Sequence, residues 1–180
     1  MTMPFKKLHS DIQEKLVFFN ITEPTPFQTA SIPIIKSGTN VYCTAPKDSG
    51  KTTTLVLTTL QKLKCEAAGN APRAVILVEN KERAMELYEL FLAYTKYNSL
   101  RVYVGHEQLH IDIQKSEIFE GTDILISTPK TMNKLFLLNG VSTAQLKIIS
   151  IDDAEFLSQH SSYSAIMSIS QSIQKCQYVI

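Results

Sequence analysis

The chain has 180 residues, 44% of them hydrophobic and 19% charged, with 18 basic side chains against 17 acidic ones and a formal charge of +1. This composition excludes a disordered chain and supplies the core of a single globular domain, expected to span 1–180. The charge balance excludes a strong overall field for polyanions, so any contact with nucleic acid must be local.

The first stretch, MTMPFKKLHSDIQEK, is broken by charge before an apolar leader can form. From Phe5 to Asn20, Leu8, Ile12, Leu16, Val17 and Phe19 recur near helical spacing, which predicts an amphipathic helix ending before Pro24. In the following TPFQTASIPII, Thr25 is a candidate N-cap, Pro26 a first helical residue, and Gln28 has the spacing of a capping box.

Asn40 to Thr44 reads as a strand, and it opens VYCTAPKDSGKTTT, the stretch around which the rest is arranged. Ala45 to Thr52 fits a phosphate-binding loop, with alanine at the opening position where the pattern has glycine. Gly50 would let the backbone approach a phosphate, Lys51 would reach the β and γ phosphates, and the Thr52 hydroxyl would bind Mg²⁺. A helix from Lys51 to Cys65 would add free N–H groups and the positive end of its dipole. The plainer alternative is that SGKT forms a polar turn at a helix start.

Beyond EAAGNAP, strands are expected at Arg73–Val78, Arg101–Val104, Asp123–Ser127, Leu146–Asp152 and Gln177–Ile180. Helices are expected at Glu82–Tyr94, Gln108–Phe119, Thr128 to about Leu138, and within the polar stretch Ala154–Lys175. This alternation predicts an α/β fold, a parallel sheet with helices on both faces and ligands beyond the carboxyl ends of its strands. The phosphate loop and Asp152-Asp153 would then share one rim. Mg²⁺ favours one or two carboxylates beside phosphate oxygens, which suits Asp152, and Asp153 is placed to orient or deprotonate an attacking water. Equally, DDAE would cap the following helix with negative charge.

HEQLH, His106 to His110, formally matches the zinc-peptidase signature, but it directly follows a strand and glycine, where a helix has barely begun. The ordinary reading is a surface helix start. Cys43, Cys65 and Cys176 have no paired spacing and point to a reducing compartment. No apolar run is long enough to cross a bilayer. The expectation is a soluble, cytoplasmic protein, a monomer without membrane contact.

In order along the chain, PTPFQ, APKDSGKT, ENKER, Gly105, STPKT and DDAE resemble the Q motif, motif I, PTREL, Gly-Gly pair, TPxR and DEAD motifs of DEAD-box RNA helicases. The resemblance covers nearly the whole chain and implies a RecA-like P-loop NTPase domain, the N-terminal lobe of such a helicase. It implies ATP and Mg²⁺ as cofactors: Gln28 would read the adenine edge, Phe5 would stack on the base, and Ala45, Ser49, Gly50, Lys51, Thr52 and Thr53 would hold the phosphates. Lys51, Asp152 and Asp153 would carry catalysis, with Mg²⁺ on Thr52 and Asp152. It further implies that Gly105 and Thr128 hold an RNA backbone, with charge from Lys81 and Lys130, for which a solvated face is the ordinary reading.

Departures from the family pattern are specific. Asp48 replaces a glycine of motif I and sets a β-carbon and a negative charge beside the phosphates. His106 replaces the second glycine, Thr131 the TPxR arginine, Asp153 the glutamate and Glu155 the last aspartate of DEAD. QYVI resembles the strand that leads into the family's Ser-Ala-Thr motif, so a second RecA-like lobe is expected to complete the protein. The lobe alone is expected to bind nucleotide weakly, without unwinding RNA or hydrolysing ATP appreciably. The alternative is a nucleotide- or RNA-binding module that kept the shape and lost hydrolysis.

Overall fold

Four runs of aliphatic residues and one shorter run make a parallel sheet in the computed structural model, which describes residues 2–173 and 175–180. The strands are β1 (Ala74–Leu77), β2 (Val102–Gly105), β3 (Ile124–Ser127), β4 (Ile148–Ile151) and β5 (Gln177–Val179), in the order β2-β3-β1-β4-β5. All four pairings are parallel, and Ala74 sits opposite Ile124 on one side and Ile148 on the other. Parallel neighbours require crossovers, which the intervening helices provide.

Side chains along each strand alternate between two cores. Ala74, Ile76, Ile124, Ile126 and Ile148 face one side. There they meet α1 (Ser10–Phe18), α2 (Pro26–Lys36), α3 (Lys51–Leu63) and α4 (Lys81–Thr95) through Leu16, Ile32, Leu60 and Phe91. Val75, Leu77, Leu125, Ile149 and Ile151 face the other. Their partners are α5 (Ile111–Glu120), α6 (Pro129–Leu137) and α7 (His160–Ser170), through Ile118, Leu135 and Ile169. Burial on both faces is why the strands are continuous apolar runs rather than alternating ones. Each fully buried aliphatic side chain contributes roughly 1.5–3 kcal/mol relative to exposure.

Three expectations are corrected. Asn40–Thr44 is not a full strand: it reduces to an isolated bridge, Val41 with Val179, at the sheet edge beyond β5. Without a second neighbour Tyr42 lies exposed, and Pro46 lacks the N–H to extend the ladder. The first helix divides into a 3-10 turn, Phe5–Lys7, and α1, because His9 Nδ1 accepts from Asp11 N and caps a new start. Ala154–Lys175 likewise divides into a 3-10 segment, Ala154–Ser158, and α7, while residue 174 lies outside the described residues.

The amino-end rim of the sheet is tied by one carboxylate. Asp123, fully buried, accepts from Arg73 Nη2 at 2.6 Å, Arg101 Nε at 2.8 Å and Ala68 N at 3.1 Å. Burial opposes its charge, but the Arg101, Ala68 and Arg73 donors outweigh it and hold the carboxyl below its ordinary range. The opposite rim is left for ligands.

Candidate functional site

The segment after the Val41 bridge runs as loop to Gly50, which adopts φ +92° as N-cap of α3. Two constraints select glycine there. The φ is left-handed, and a β-carbon would come within 2.7 Å of Gln28 Nε2. The predicted capping box of α2 is present, with Gln28 N donating to Thr25 Oγ1 and Thr25 N donating to Gln28 Oε1 at 3.0 Å. The same two residues grip the loop: Thr25 Oγ1 donates to Ser49 O at 2.6 Å and Gln28 Nε2 to Gly50 O at 3.4 Å. Gln28 is thus both a cap and the strut of the phosphate loop.

Thr54 N is the first amide of α3 bonded back to Gly50 O, and no side chain caps the helix. The N–H groups of Lys51, Thr52 and Thr53 therefore face the groove as an anion site. Ser49 Oγ, two residues before Lys51, is buried without a partner. Ala45 lines the floor, a cavity of about 210 Å³ that it shares with Lys51, Asp152 and Asp153. Asp48 holds a left-handed backbone, φ +62°, at the exposed outer edge.

Across the groove, Lys51 Nζ lies 3.0 Å from Asp153 Oδ1. Asp152, only 4% exposed, receives Arg83 Nε at 2.7 Å. Arg83 Nη2 also donates to Thr52 Oγ1 at 2.8 Å. The two predicted Mg²⁺ ligands therefore converge on one group, and that group is a guanidinium. Burial pushes the Asp152 carboxyl above its ordinary range, against the pull of Arg83. Burial also opposes the charge of Arg83, but Asp152 outweighs it and holds the guanidinium more firmly protonated than usual. This corrects the metal assignment: a cation between Thr52 and Asp152 does not fit while Arg83 fills the place.

The sequence model of the DEAD/DEAH box helicase family matches residues 25–180. The chain belongs to the DEAD/DEAH box helicase family. Among similar proteins, "ATP-dependent RNA helicase DBP10" of Yarrowia lipolytica is 33% identical over 137 residues, 75% of this chain and 15% of that protein. "ATP-dependent RNA helicase DBP10" of Scheffersomyces stipitis is 31% identical over 148 residues, 79% of this chain and 16% of the relative. "ATP-dependent RNA helicase ddx54" of Dictyostelium discoideum is 31% identical over 141 residues, 77% of this chain and 13% of the relative. The chain thus spans only 13–16% of the length of these relatives. Its fold is the RecA-like α/β sheet of the DEAD-box family, whose ATP-dependent members imply nucleotide use.

Seen as a DEAD-box lobe, the chain brings its remaining motif residues to the same rim with some changes of role. Phe5 is wholly buried in the core and offers no face to a base, which corrects the stacking expectation. Gly105 is buried at the end of β2, where a β-carbon would meet Gln114 Oε1 at 2.8 Å, so its lack of a side chain serves packing. Thr128 caps α6 by accepting from Thr131 N, and its hydroxyl donates to Glu107 Oε1 at 2.6 Å. Lys81 Nζ donates to Gln108 Oε1 at 2.6 Å, and Lys130 is exposed. Loop 106–110 therefore lies on two of the four predicted RNA-backbone residues.

That loop is HEQLH, and it is a turn: α5 begins only at Ile111, so His106 and His110 do not share a helical turn. His106 is buried, and burial and then Lys81 push its imidazole below the ordinary range. The three ligating atoms that do gather among the described residues are on His9, Asp11 and Cys65. Their groups are engaged already: His9 Nδ1 caps α1, and burial, aided by Asp11 and Glu66, pushes the Cys65 thiol up to about 12. Arg83 and Glu107 were missed in the sequence. The signal for Arg83 was present, since ENKER ends in arginine where PTREL ends in leucine.

Proposed function

We propose that residues 1–180 form the ATP-binding lobe of a DEAD-box-like RNA helicase, which couples nucleotide binding to RNA remodelling when joined to a second RecA-like lobe. The observation that carries this reading is the anion site: three free N–H groups and the Lys51 ammonium meet at the start of α3. Triphosphate oxygens match that donor set. Gln28 retains one N–H and one carbonyl lone pair beyond its two bonds, a donor and acceptor suited to the adenine edge. Binding of the phosphates would draw Lys51 away from Asp153, which frees that carboxylate to orient water. RNA phosphates would take the start of α6, with Thr128 donating and Lys81 and Lys130 adding charge. Three free thiols support a reducing, cytoplasmic setting, and the lobe is read as a monomer. Among the described residues no helix is long and apolar enough to cross a membrane.

A second reading, a binding module without hydrolysis, is favoured by the Arg83 bonds to Thr52 and Asp152. Thr52 and Asp152, bridged by Arg83, leave Mg²⁺ no place between them. Calorimetric titration with ADP and GDP, repeated on Lys51→Ala, tests the main reading. Adenine-selective binding that the variant loses is the expected result. Equal affinity for GDP, or no heat at millimolar nucleotide, would sink it.

A further inference from the structure

Resting on the nucleotide reading above, we propose that Arg83 serves as the counter-cation of this site, so that the loop takes a metal-free nucleoside di- or triphosphate. The guanidinium lies within hydrogen-bond distance of both Thr52 Oγ1, at 2.8 Å, and Asp152 Oδ2, at 2.7 Å. A divalent ion would need to approach each of those oxygens to about 2.1 Å, and its charge would meet the guanidinium head-on. Exchange of one for the other is therefore steric as well as electrostatic.

Arg83 is held on three sides. Its Nη1 donates to Glu86 at 3.1 Å, one turn along α4, and the helix itself is fixed by Asn80, whose side chain accepts from Arg83 N at 2.9 Å. Asp152 at the end of β4 is almost wholly buried, and among the described residues the only arginine or lysine bonded to it is Arg83. Removing the guanidinium would leave a buried carboxylate unpaired, which the fold opposes strongly. The cation is built into the site rather than borrowed from solvent.

It also has capacity to spare. A guanidinium carries five N–H donors, and Thr52, Asp152 and Glu86 take three, which leaves two on the terminal nitrogens. Arg83 lines the same groove as Gly50, Lys51, Thr52 and Thr53. Those free donors meet a diphosphate in the forked geometry that arginine offers to phosphate oxygens. Lys51 from α3 and Arg83 from α4 then supply positive charge to the site, beside Lys47 of the loop.

Titration of the protein with ADP, once in EDTA and once in excess Mg²⁺, tests the assignment directly. The expected dissociation constants agree within about twofold, whereas Arg83→Leu weakens binding in EDTA by roughly tenfold or more and regains it with Mg²⁺. Mn²⁺ electron paramagnetic resonance gives a second readout: the ADP-bound protein holds no tight Mn²⁺, and the Arg83→Leu variant holds one. The unsubstituted protein decides the matter even if the variant fails to fold. Binding that requires Mg²⁺, or a tight Mn²⁺ signal beside ADP, overturns the role of Arg83 while leaving the nucleotide reading intact. Absence of ADP binding in both buffers overturns both.

Discussion

Asp48 sets a carboxylate on the phosphate loop in a backbone conformation that most side chains avoid. It holds φ +62°, the left-handed backbone that glycine adopts freely, and aspartate is among the few side chains that tolerate it. Asp48→Gly relieves that strain but gives the unfolded chain more freedom, two effects of roughly 1 kcal/mol that oppose each other. Thermal stability is therefore expected to stay nearly constant. Nucleotide affinity is not, since a carboxylate leaves the phosphate groove. A gain of about fivefold in ADP binding is expected by calorimetry, and more at low salt. Unchanged affinity would mean that the Asp48 charge is screened by water. The residue at 48 was legible in the sequence as a departure, and its conformation was not, because backbone angles follow from the loop's grip by Thr25 and Gln28.

Among the elements, loop 106–110 and α6 are matched in charge. The helix start offers the Lys130 amide and the Thr128 hydroxyl, and Glu107 lays a carboxylate against that hydroxyl at 2.6 Å. An RNA phosphate and Glu107 compete for the same donors. Glu107→Gln is expected to tighten binding of a short single-stranded RNA by roughly threefold to tenfold, with stability little changed because the side chain is exposed. Fluorescence anisotropy at fixed salt measures it, and equal affinities would show that RNA does not reach α6. The strands and helices themselves were readable, since long apolar runs and helical periods came from burial on two faces. What the sequence concealed was pairing between distant side chains: Arg83 reaches Asp152, 69 residues away, and nothing in local pattern reports such a reach. The edge segment at 41–43 was misjudged for a related reason, because strand length depends on neighbours as well as on propensity.

For the whole molecule, the two rims of the sheet do different work. The carboxyl-end rim gathers exchangeable contacts, while the amino-end rim is locked by Asp123 with Arg73 and Arg101. Because the folded Asp123 carboxyl titrates below its unfolded value, its contribution is present above about pH 4 and is lost as pH falls through the lower, folded value. Asp123→Asn leaves the buried Arg73 short of its partner and is expected to cost about 3 kcal/mol at pH 7. The variant should also lose less stability than the parent between neutral pH and pH 3. Urea unfolding at several pH values follows both, and parallel pH curves for the two proteins would show that other carboxylates govern acid unfolding.

The bridge between Val41 and Val179 sets the order in which this site comes into being. The segment that leads into the phosphate loop is secured by the last strand of the sheet, through Tyr178 N to Asn40 Oδ1, a contact 138 residues apart in sequence. Gln177 Nε2 adds bonds to Ile35 O and Thr39 O across the same gap. During synthesis, β3 finds both neighbours, β1 and β2, already made, whereas β1 waits for β4 and the loop's leading segment waits for β5 to emerge. Closure over so long a separation is entropically slow. A nascent chain would carry four strands of its sheet before it could hold a nucleotide, and competence to bind would arrive with the fifth.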